Sequence, residues 1–155
     1  GFAEGAGQLA ISSDQPLLAG SRTWTDAANG TFGQFIPAVA GSEGTKLGGA
    51  PLIAIGAESS QRFRSNLGVA EISGHEVTVR MVVRDASGAV VLEREQTLGV
   101  NGFAQLNLAQ EGAAVLRSGT AELSVIAGEG VVTGYLSIVD NRTGDPTFVQ
   151  ARSAE

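Results

Sequence analysis

A chain of 155 residues with 43% hydrophobic residues and a net charge of −6 can bury a core without help from metals or disulfides. It has no cysteine, which excludes a disulfide scaffold, a thiol nucleophile and a cysteine-type zinc site. Acidic balance without a run of Lys or Arg argues against nucleic acid as a partner, and no window approaches the ~18 apolar residues of a membrane helix.

Charged residues are only 17%, against roughly 25% in an average globular protein. Glycine, at 22 residues, has about twice its usual share. That composition suits short strands joined by tight turns and not a helical bundle, which needs Lys and Glu on its wet faces. The chain opens on Gly1 without an initiator Met or a signal peptide, and is expected to be a processed or trimmed piece of something longer.

Taken in order, the apolar patterns predict strands over 7–12, 17–25 and 31–37. The Gly- and Ser-rich stretch 40–49 has no apolar pattern and reads as a linker. Strands are then expected over 51–55, 63–71 and 76–85, the last alternating cleanly through Val77-Thr78-Val79-Arg80-Met81. Arg84-Asp85-Ala86-Ser87-Gly88-Ala89 reads as a hairpin loop, because Gly88 takes positive φ at no steric cost. The pattern resumes over 90–98. Asn101-Gly102 then supplies the strongest short hairpin signal ahead of a strand over 103–107.

A turn or two of helix is expected over 109–117, short and interrupted by Gly112. The last strands are 121–126, 131–140 and 147–151, separated by Gly128-Glu129-Gly130 and Thr143-Gly144-Asp145-Pro146, and 152–155 should fray. Turn signals every 8–12 residues are the mark of a sandwich.

The chain also repeats itself. Gly7-Gln8-Leu9-Ala10-Ile11 matches Ala121-Glu122-Leu123-Ser124-Val125, and the match runs without a gap through Gly20 and Gly134 to Gly30 and Gly144, at an offset of 114. Asp145 and Pro146 are then extra, and Thr31-Phe32-Gly33-Gln34 realigns with Thr147-Phe148-Val149-Gln150 at an offset of 116. The expected organisation is about one and a half copies: residues 1–49 as the C-terminal part of a first repeat, and 50–155 as a complete second one.

Four stretches carry a resemblance. They are Ser21-Arg22-Thr23-Trp24-Thr25, Gly30-Thr31-Phe32-Gly33-Gln34-Phe35-Ile36-Pro37-Ala38, Arg62-Phe63-Arg64-Ser65-Asn66-Leu67-Gly68-Val69, and Val139-Asp140-Asn141-Arg142-Thr143-Gly144-Asp145-Pro146-Thr147-Phe148-Val149. The sequence resembles tandem repeat domains of large secreted or surface-anchored bacterial proteins, often near their C-termini. The resemblance covers nearly the whole chain. It implies an immunoglobulin-like sandwich with an accessory role, and it brings no assigned catalytic or binding residue. This chain departs from the pattern by beginning in mid-repeat.

Candidate sites are few. His75, the one histidine, follows Ser73-Gly74 at an expected turn and has neither a second His nor a Cys for a triad or metal site. Asp140, Asn141 and Asp145 offer oxygens on a turn, as calcium requires, but their spacing fits no EF-hand, and Asp and Asn also initiate turns through their own backbone. Trp24, with Phe32 and Phe35, is a candidate platform for sugar rings; core packing is the default for such residues, and Phe32 and Phe148 are expected in the core. Asn29 and Asn141 stand in formal glycosylation sequons. Glu93 and Glu95 share a strand face that reads as solvated.

The expectation is therefore an all-β, immunoglobulin-like antiparallel β-sandwich, without catalytic residues or a cofactor. Its expected role is an extracellular structural module of a bacterial surface or secreted protein. It would associate with itself or with neighbouring domains, in the extreme case forming a filament by strand complementation. The alternative is a module that binds polysaccharide and belongs to a secreted hydrolase.

Overall fold

The computed structural model describes residues 7–28 and 30–153. Eleven strands follow one another among these residues, with one 3₁₀ turn at Gly41–Glu43 and no α-helix. They are β1 (Gly20–Ala27), β2 (Gly30–Pro37), β3 (Leu52–Ser59), β4 (Phe63–Glu71), β5 (Val77–Arg84), β6 (Val90–Leu98), β7 (Phe103–Asn107), β8 (Leu116–Gly128), β9 (Val132–Asp140), β10 (Pro146–Gln150) and β11 (Arg152–Ser153). Every pairing is antiparallel. β1 and β2 form a hairpin; one larger sheet runs β10-β9-β4-β7 and the other β11-β3-β8-β5-β6.

The two larger sheets share one core, an arrangement consistent with a β-sandwich. Alternation decides which residues enter it. Val77, Val79, Met81 and Val83 of β5 are buried, as are Leu116, Ala121, Leu123 and Val125 of β8. Leu67 and Val69 of β4 and Val132 and Leu136 of β9 close the core from the opposite sheet. Each such Leu or Val contributes roughly 1.5–3 kcal/mol on full burial.

Local chemistry sets the turns. Between β5 and β6, the Asp85 carboxylate accepts hydrogen bonds from the Ser87 and Ala89 amides and the Ser87 hydroxyl, while Gly88 sits at φ +87°. In β3, register shifts flank Ala57 after Gly56 turns to φ +89°. These bulges let β3 continue to Ser59 with Ala57 and Ser59 both buried.

Several expectations are corrected. Residues 7–12 form no strand, and the first hairpin starts at Gly20, not at 17. The helix over 109–117 is absent: residues 108–112 make a turn, closed by bonds from Glu111 N to Asn107 O and Ala113 N to Leu108 O. Gly112 at φ +110° breaks any helix there, and Leu116, wholly buried, already belongs to β8. Arg152 and Ser153 pair with Ile53 and Leu52 instead of fraying, whereas 154–155 lie outside the described residues.

The stretch 40–49 is not a free spacer. Thr45 is buried and bridges Val132 through two backbone hydrogen bonds, and its hydroxyl donates to Ala50 O. Gly44 abuts Val131, Val132 and Ile72 so closely that a β-carbon would collide with them.

Candidate functional site

The described residues up to 37 place apolar side chains where water reaches them. Leu9, Ile11, Leu17 and Leu18 are all exposed, Leu9 to 86% and Leu18 to 98%, and none lies in a sheet. Gln8 ties this segment to the body by donating to Glu71 O at 2.6 Å.

The β1–β2 hairpin has two unlike faces. Register pairs Trp24 with Gly33 and Arg22 with Phe35, so Trp24, Arg22 and Phe35 share one face. The other face carries Phe32, Gln34 and Ile36, all half-buried, and Gln34 Oε1 accepts a hydrogen bond from the Ser137 hydroxyl of β9. Trp24 is 61% exposed and Phe35 64%. The core position expected of Trp24 is therefore not the one it takes, because its face turns away from the larger sheets. Arg22, Trp24 and Thr31 line a shallow, open depression.

Phe32 and Phe148 are likewise not core residues. Phe148 lies across β9 from Ser137 and stacks on Tyr135, with ring centroids 5.1 Å apart. Tyr135 spans the sheet. Its ring covers Gly68 of β4, where a β-carbon has no room, and its hydroxyl donates to Gln105 Oε1 of β7 at 2.7 Å.

Glu71 was not singled out in the sequence, yet it is wholly buried. Its carboxylate accepts the Ser73 amide and hydroxyl, the Gly74 amide at 3.0 Å and the Asn101 amide at 2.9 Å. Burial alone raises its pKa, but the hydrogen bonds from Ser73, Asn101 and Gly74 to the ionised form prevail and hold it down at about 2, against an ordinary 4.5. With its oxygens so occupied, Glu71 clamps the two turns that follow β4 and β6. The available signal was its phase: it continues the inward row Ser65, Leu67 and Val69.

The sequence-derived candidates are placed as follows. Asp140 Oδ1 accepts the Arg142 and Thr143 amides, and Oδ2 meets Arg62 Nε at 3.4 Å. The Arg142 amide does most to lower its pKa, against some opposing desolvation. Asn141 Oδ1 accepts from Arg64, and its amide nitrogen donates to Ser60 O and Gln61 O. Asp145 joins the same turn through its backbone, which accepts from Asp140 N. The turn thus brings the three calcium candidates together with Asp140 and Asn141 already engaged by protein groups. No group of three His, Cys, Asp or Glu suited to a metal ion occurs among the described residues.

His75 is exposed on its turn, as are Glu93 and Glu95 on the edge strand β6. Asn29 lies outside the described residues. Among the described residues no helix is long and apolar enough to cross a membrane. No protein-family model, curated protein or solved structure matches the chain.

Proposed function

We propose that this chain is a non-catalytic structural module of a secreted or surface-displayed bacterial protein, one that engages neighbouring units through strand-forming segments. The observation that carries this reading is the exposure of Leu9, Ile11, Leu17 and Leu18 in a segment patterned as a strand but paired with none. Such residues gain free energy only when another surface covers them. The hairpin β1–β2 adds two unpaired edges, which invite further strands.

The internal repeat and an immunoglobulin-like arrangement belong to the same proposal. The pairings β4–β7 and β5–β8 match those expected of the second and fifth, and third and sixth, strands of such a sandwich. β3 beside β8, β9 beside β4 and β6 beside β5 depart from that arrangement.

Light scattering after size exclusion, with negative-stain microscopy of the same sample, tests the proposal. Assemblies or fibres that grow with concentration are expected, and removing residues 7–18 or introducing L9D/I11D should dissolve them. A monomer at every concentration would overturn association through this segment.

The exposure of Trp24 beside Arg22 and Thr31 favours a second reading, a polysaccharide-binding module. An aromatic face stacks on sugar rings while neighbouring polar groups meet the hydroxyls. Retention on insoluble polysaccharides that is lost in Trp24→Ala would favour it over the first reading.

A further inference from the structure

We infer that residues 7–37 are the rear half of an additional sandwich, and that its front half is contributed by strands of a neighbouring repeat unit resembling β3–β7. The inference rests on the repeat proposed above. In the complete unit, β3–β7 make up the front and β8–β10 the rear. At the offset of 114, exposed Leu9 corresponds to Leu123 and exposed Leu18 to Val132, both 0% exposed. Ile11 corresponds to Val125 and Trp24 to Ile138; Val125 is buried and Ile138 packs against the core. At the offset of 116, Phe35 corresponds to Ala151, also buried. Leu9, Ile11, Leu18, Trp24 and Phe35, left in water by the first segment, thus stand where the second unit turns its residues inward, while Leu17 stands for half-buried Val131.

Two further correspondences point the same way. Leu123 packs onto the bare backbone of Gly134, and the same residue pair recurs as Leu9 and Gly20, although Leu9 is exposed. β9 pairs with β10 on one side and β4 on the other, whereas among the described residues β1 pairs with β2 alone. The free edge of β1 is therefore the edge that a β4-type strand takes.

Counting halves identifies the occupant. The described residues hold two rear halves, 7–37 and 116–150, and one front half, 52–107. That front half is already paired with 116–150, so the strands that complete 7–37 are those of a further front half. Arg22 departs most from the pattern: it stands for Leu136, which lies opposite Leu67. The completing strand therefore needs a group that accepts the Arg22 guanidinium near the Leu67 position.

The test is to place residues 50–120 directly ahead of Gly7 in the otherwise intact chain, where Gly7 takes the place of Ala121. This extended chain is made with Arg22 and with Arg22→Leu. Trp24 is the one tryptophan, so its fluorescence reports on this half alone. In the Arg22→Leu form we expect blue-shifted emission and a several-fold fall in iodide quenching, with a smaller change when Arg22 is kept. Adding L9D/I11D should restore the quenching of the native chain without changing the urea midpoint of the β3–β10 unit. Trp24 remaining as quenchable in the extended Arg22→Leu chain as in the native chain would overturn the inference, whether the added strands fold apart or stay unfolded. Association of the native chain, read separately by light scattering, tells failure of this inference from failure of the proposed function.

Discussion

Leu123 of β8 occupies the space that a β-carbon on Gly134 of β9 would need. The two residues sit on opposite sheets and bring them into close contact at the centre of the core. A single methyl at 134 must push Leu123 out of its place, and the surrounding side chains are too well buried to yield. We expect Gly134→Ala to cost about 1–3 kcal/mol in urea unfolding. Gly20→Ala is the control: its new methyl meets the ring of exposed Phe35, at 2.6 Å, which can swing into water. That change should stay within about 0.5 kcal/mol. Equal costs for the two substitutions would contradict the close contact between sheets.

Glu71 makes stability depend on acid pH. Its folded pKa of about 2 lies below the ordinary 4.5, so the ionised carboxylate stabilises the fold fully above 4.5. That contribution fades as pH falls from 4.5 towards 2. Glu71→Gln should lose about 1–3 kcal/mol at neutral pH, because an amide cannot accept all the bonds the carboxylate accepts. The difference between the two proteins should shrink towards pH 2. Parallel urea midpoints across that range would rule out the carboxylate as the cause.

Tyr135 ties three strands by lying over Gly68 and reaching Gln105. Tyr135→Phe keeps the ring and loses one hydrogen bond, for an expected cost of about 0.5–1.5 kcal/mol. Gly68→Ala displaces the ring and should cost more, about 1–3 kcal/mol. Burial raises the phenol above its ordinary 10.0. An ultraviolet titration of this one tyrosine should accordingly begin later than that of free tyrosine; an unshifted curve would mean the ring is not covered.

Trp24 is large and apolar, yet the native chain does not depend on it for stability. We expect Trp24→Ala to shift unfolding by no more than about 0.5 kcal/mol, where a core tryptophan would cost about 3–5 kcal/mol. Iodide should quench its emission freely in the native protein. A large loss of stability would show that the hairpin packs its aromatic face inward.

Much of the fold could be read from the residues in order. The strands over 63–71, 90–98 and 103–107 stand where alternation and turn chemistry put them, because a strand with one wet face writes its period into the chain. The hairpin turn at Gly88 was legible for a similarly local reason, Gly88 taking positive φ, whereas Asn101-Gly102 makes a turn with Asn101 at positive φ that carries the chain from β6 to β7 in the other sheet and closes no hairpin. The expected helix over 109–117 failed because Leu116 is drawn into β8 by a core that local propensity cannot see. Glu71 was hidden because nothing in a strand sequence says that an end carboxylate will meet three amides and a hydroxyl from two separate turns.

Residues 7–37 show the same division. By itself the sequence determined that Leu9, Ile11, Leu18 and Trp24 are apolar, strand-compatible and spaced like Leu123, Val125, Val132 and Ile138. Only the tertiary structure decided that the second set is buried or packed against the core while the first stays in water. Side-chain period is a property of one segment, but burial requires an opposing sheet. Here β3, β5 and β6 extend the sheet of β8, β4 and β7 extend that of β9 and β10, and the two sheets bury each other, whereas the hairpin β1–β2 lies in neither.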